Sequence, residues 1–116
     1  MSANPLLSAL GLFVITQTLV WFTVNLQFVN DYWKAKSFLI TVILAVPTSA
    51  CAYFASQQGY TALSESAWGV RFLGFGTSYI VFPVLTYALL GESFFTAKVL
   101  ICTLLSVCIL LVQVYL

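Results

Sequence analysis

The sequence predicts an all-α membrane protein of four transmembrane helices, and three observations carry that reading. Of 116 residues only four are basic and three acidic, with no His, whereas a water-soluble domain keeps about a quarter of its residues charged. The apolar residues gather into four blocks of about 20, the length a helix needs to cross a hydrocarbon core about 30 Å thick. The connections between blocks are too short for another domain, so residues 1–116 form a single four-helix transmembrane domain. A charge at the centre of a bilayer helix costs about 2.5–3.5 kcal/mol on insertion scales, which explains why charges are confined to the block ends.

The first span is expected over Pro5–Phe28, with Pro5 in the first turn, where its missing N–H does little harm. The run continues past the length of a signal peptide's apolar region and lacks a charged leader, so it reads as a retained span. A polar turn from Asn30 to Lys36 leads to a second span over residues 37–56, with Pro47 near its middle. Pro47 removes one backbone hydrogen bond and predicts a kink near residues 43–47, with Thr48 or Ser49 satisfying what it exposes. A loop over residues 57–66 precedes the third span, residues 67–90. Gly91 suits the stop of that helix and Ser93 the cap of the fourth span, residues 95–116.

Tyr32, Trp33, Tyr60, Trp68 and Tyr115 fall at span ends, where aromatic side chains anchor at the headgroup level. Lys34, Lys36 and Lys98 share one side of the membrane, and Arg71 and the N-terminal amine the other. The positive-inside rule then places the first and third loops in the cytoplasm. The bias is small enough to permit insertion both ways. A plasma or inner membrane is the expected location.

Several chemistries are excluded. A net charge of +1 with no basic cluster gives no basis for nucleic-acid binding. Cys51, Cys102 and Cys108 lie in apolar runs without CxxC spacing or His, so they read as packing residues with no zinc site, and no cofactor is expected. No paired carboxylates or base beside a nucleophile suggest an enzyme. No acidic ring or filter-like sequence suggests a channel. Gly74-Phe75-Gly76 lacks the third Gly and preceding strand of a dinucleotide-binding fingerprint.

The polar residues inside the spans are the functional candidates. Gln17, Trp21 and Asn25 recur every four residues and line one side of the first helix. That stripe is either interhelical hydrogen-bonding glue or a binding wall, with amides for hydrogen bonds and an indole for an apolar or cationic body. Arg71, Gly74 and Ser78 share a face of the third span. Arg71 either snorkels to the interface or pairs with Glu65, or binds an anionic group within the bundle. Gln17, Trp21, Asn25, Tyr53, Arg71, Ser78 and Tyr79 are thus the expected lining of a substrate cavity. Cys102 and Ser106 form a small-xxx-small pair, and with Gln113 they are the expected dimer contact.

The run YIVFPVLTYALLGE over residues 79–92, an apolar helix with a central Pro closing on Leu-Gly-Glu before another apolar helix, resembles the drug/metabolite transporter superfamily. Length and span number look like its small multidrug resistance branch, and the likeness is best over residues 67–114. The resemblance implies a four-helix subunit working as a homodimer, often antiparallel. Its first three helices would surround a substrate cavity and its fourth make dimer contacts, with Glu92 in a structural loop position. Proton-coupled members carry an acidic residue in the first span. Here no Asp or Glu precedes Asp31 and Gln17 lies at about that depth; an amide does not exchange a proton at neutral pH. The expectation is a small-solute transporter without first-span proton coupling. The competing expectation is an accessory or assembly subunit of a larger membrane complex.

Overall fold

The computed structural model describes residues 4–93 and 95–116, which form four α-helices and no strand. Helix α1 spans Pro5–Asn25, capped by Asn4, whose side chain accepts from the N–H groups of Leu6 and Leu7. A 3-10 turn over Leu26–Phe28 follows. Helix α2 covers Asp31–Ala62, α3 covers Ala67–Leu85 with a π-helical turn over Thr86–Leu90, and α4 covers Ala97–Tyr115. Three segments, Pro5–Phe28, Asp31–Ala62 and Ala67–Leu90, are long and apolar enough to cross a membrane, and the apolar stretch Ala97–Gln113 of α4 is shorter. The chain is a helical membrane protein.

The second helix is longer than its apolar block. The Asn30 side chain accepts from the Trp33 N–H at 3.0 Å, which starts the helix in the expected polar turn. The far end continues to Ala62, where Ser64 and Glu65 take left-handed φ of 58° and 59°. Both polar flanks expected as loops are therefore largely helical, because capping rather than hydropathy sets the ends. Pro47 lies within this helix, but Thr48 does not relieve it: its Oγ1 is buried with no hydrogen-bond partner.

Gly91 ends the third helix as expected, at φ 72° with its N–H on the Tyr87 carbonyl. The expected cap at Ser93 is displaced. Ser93 Oγ accepts from the Phe95 N–H, and Thr96 caps α4 by accepting from the Val99 N–H at 3.3 Å. The N-terminal amine, counted above in the charge balance, lies outside the described residues.

Helix α1 packs on α2 and α3, while α4 packs substantially on α3 alone. A Cβ at Gly59 would touch Ala9 and Phe13, and Thr41 Oγ1 donates to the Thr23 carbonyl at 2.7 Å, so α1 and α2 run antiparallel. Phe13 lies against Gly74 and Trp21 against Thr86, so α1 and α3 run parallel. The core is the small set Ala9, Phe13, Ala55 and Leu73. Small residues bring helices close in lipid, where dispersion and polar contacts replace the hydrophobic effect. The molecule measures 45 × 36 × 21 Å. A helix with side chains is about 10–12 Å across, so its thin direction holds no more than two helices.

Candidate functional site: a polar groove on α1

Three cavities share lining residues and so form one groove that runs from between α2 and α3 at one end to between α1 and α3 at the other, and a cavity of about 280 Å³ between α3 and α4 adjoins it at Tyr79 and Phe82. At one end about 750 Å³ lies between the C-terminal half of α2 and the start of α3, beside Ser49, Tyr53, Ser56, Gln57 and Tyr60. The middle, about 440 Å³, is bounded by Thr16 and Gln17 of α1, Ser56 of α2 and Arg71, Gly74 and Ser78 of α3. The far end, about 460 Å³, lies between α1 and α3 among Gln17, Trp21, Asn25, Phe75, Ser78, Tyr79 and Phe82. Each of the groove's three volumes is within the range of about 300–1,000 Å³ typical of small-molecule sites.

Five of the seven expected lining residues (Gln17, Trp21, Asn25, Ser78 and Tyr79) meet at the far end. Arg71 lines the middle and Tyr53, 64% exposed, the near end. Their polar atoms divide into two groups. Gln17 Nε2 donates to the Gly74 carbonyl at 3.2 Å, and Trp21 Nε1 to Thr86 Oγ1 at 3.0 Å, with Trp21 only 2% exposed. Ser78 Oγ donates to the Phe75 carbonyl of its own helix. These groups stitch helices or satisfy backbone, so part of the stripe is glue as well as wall. The side chains of Asn25, Tyr53, Arg71 and Tyr79 make no hydrogen bond or ion pair among the described residues. Arg71 therefore does not pair with Glu65, which lies in the left-handed turn with its N–H on the Tyr60 carbonyl. Tyr79 instead tilts against Phe75, with ring centroids 5.0 Å apart.

Sequence reasoning missed Thr86, the acceptor for Trp21, and the aromatic lining from Phe75 and Phe82. The spacing of Arg71, Phe75, Ser78 and Phe82 by four, three and four was a readable signal for a common face. Nothing local marked Thr86. Its N–H reaches the carbonyls of both Phe82 and Pro83 at the entry to the π turn, three residues after a Pro.

The expected dimer residues separate. Ser106 is 3% exposed and donates to the Cys102 carbonyl within α4. Gln113 lies against α3, with its Oε1 3.2 Å from where a Cβ on Gly69 would be. Both face the subunit's own α3, and Cys102 is exposed. Val99, Thr103, Ser106, Leu110 and Gln113, spaced by four and three, are the face of α4 turned inward. The small-residue pattern thus seats α4 within the chain.

The described residues contain no cluster of His, Cys, Asp or Glu suited to a metal. The fold defines a helical membrane protein with a mainly apolar groove into which polar side chains of three helices project. Compared with protein-family models, curated proteins and solved structures, the chain matches none.

Proposed function

We propose that the chain is the subunit of a small-solute transporter, working as a homodimer in which a second copy closes the open side of each groove. The observation that carries this reading is the convergence of polar side chains from three helices on one groove in an otherwise apolar molecule. A chain needing polar residues only for cohesion has no use for unpartnered Asn25, Tyr53, Arg71 and Tyr79 side chains along a cleft. The lining contains no Asp or Glu among the described residues, so the proposed transport is not coupled to protons through a groove carboxylate.

A second reading, an accessory subunit of a larger complex, is favoured by the Gln17 and Trp21 bonds, which act as interhelical glue. Variants that spare those bonds separate the two. In proteoliposomes exposed to a panel of small organic solutes, Asn25→Ala and Tyr79→Phe should lower uptake at least about tenfold, as loss of polar site contacts does. Expression and oligomeric size should be unchanged. No uptake by the wild-type chain, together with co-purification of a fixed membrane partner, would establish the accessory reading instead.

A further inference from the structure

The three cavities along α1, α2 and α3 hold one formal charge, and the adjoining cavity between α3 and α4, which shares Tyr79 and Phe82, is lined by Glu92 and Lys98. Among the described residues lining the groove's three cavities, Arg71 is the sole cation, and none is acidic. We propose that the groove takes an organic anion, with a carboxylate or phosphate head at Arg71 and an apolar or aromatic body lying along α1 and α3 toward Trp21 and Phe82. This deepens the transporter reading and rests on it.

The geometry supports the class on three grounds. The Arg71 guanidinium is exposed in the middle of the groove and makes no ion pair among the described residues. Its planar fork suits a carboxylate or phosphate oxygen pair, and an arginine within a bundle is most stable when so neutralised. Second, polarity is graded along the groove. Gln17, Phe75 and Ser78 line both sections, Thr16 and Ser56 join Arg71 in the middle one alone, and Val20, Val24 and Phe82 join the far one alone. Arg71 and Tyr79 are eight residues apart on α3, about 12 Å at the helical rise, so head and body of one small molecule reach both. Third, in the section holding Arg71 an organic cation would meet no carboxylate and would be repelled by the guanidinium.

Three probes of like shape and different charge test this: 3-phenylpropionate, 3-phenylpropanol and 3-phenylpropylamine. Each is titrated calorimetrically into the full chain in phosphatidylcholine nanodiscs, with empty discs subtracted. The carboxylate should bind about tenfold more tightly than the alcohol, as a charge-assisted contact provides, and the amine most weakly. Arg71→Gln should remove the carboxylate's advantage and Arg71→Lys keep part of it. Lys98→Gln, in the adjoining cavity between α3 and α4, should keep the full order. An amine that binds as tightly as the carboxylate, or an order that persists in Arg71→Gln, overturns the anion while leaving the groove reading intact. Failure of all three to bind overturns the groove reading itself. Should Arg71→Gln not fold, the wild-type order decides. Added phosphatidylglycerol then separates two sources of the same chemistry. If it displaces the carboxylate from wild type, the anion at Arg71 is a lipid headgroup; if it does not, the anion is a soluble solute. Both results support an anion at Arg71.

Discussion

Two glycines in neighbouring helices show how far packing, rather than helix propensity, sets the tolerance of a position. A Cβ at Gly76 would lie 2.6 Å from Leu110 Cγ, so Leu110 or the whole of α4 must shift, whereas nothing lies within 4 Å of a Cβ at Gly11. Gly76→Ala should destabilise the fold by about 1–3 kcal/mol, the usual cost of overpacking. Gly11→Ala should be neutral or slightly stabilising, since Ala is the better helix former. Midpoints of denaturant-driven unfolding in mild detergent check both; equal effects would mean that α4 does not press on Gly76. The sequence sets Gly74 on one face of its helix with Arg71 and Ser78. It did not identify the neighbours, because Phe13 and Leu110 are distant in the chain and look like dozens of other apolar residues. For the same reason the Trp21–Thr86 bond was invisible: an indole N–H in a membrane demands an acceptor, but the sequence offers many hydroxyls.

At the scale of elements, hydropathy located all four helices, and capping moved their ends. Helix α2 has 32 residues, about 48 Å at 1.5 Å per residue, and so exceeds a hydrocarbon core of about 30 Å. By that length its ends are expected to extend past the core, and near one of them Lys36 Nζ donates to Tyr32 Oη at 2.8 Å. Single cysteines on a Cys-free background test this at Tyr32, Val46 and Thr61, all exposed. An impermeant thiol reagent applied to opened membranes should label the outer two and spare Val46, whose surroundings are lipid rather than water. Strong labelling at Val46 would remove α2 from the bilayer core. The altered start of α4 has a similar origin. Ser93 and Thr96 are both competent caps, and the chain uses Ser93 to hold the turn beyond Gly91 and Thr96 to begin the helix.

At the scale of the whole molecule, the class was legible because charge scarcity is a property of every residue together. The groove was half legible: the spacing of Gln17, Trp21 and Asn25 marks one wall, but only the parallel pairing of α1 with α3 sets Ser78 and Tyr79 opposite. Ser106, expected at a dimer contact, is buried within the chain, because a small-residue pattern does not say which neighbour it admits. Orientation follows from the sparse charges. With Lys34, Lys36 and Lys98 opposed by Arg71, the bias is weak, and cysteines at Asn30 and Ser64 in intact cells should label in comparable fractions. Labelling of one position alone would mean a single orientation and exclude an antiparallel pair. The attachment of α4 to α3 alone has a further consequence, for biogenesis. Every residue lining the groove's three cavities precedes α4 in the chain, so the groove's walls leave the ribosome before α4 does. Since α4 lines none of those three cavities, its docking on α3 is a separate, later step from forming them. The contact with α3 is thus the one that fixes where α4 sits in this chain.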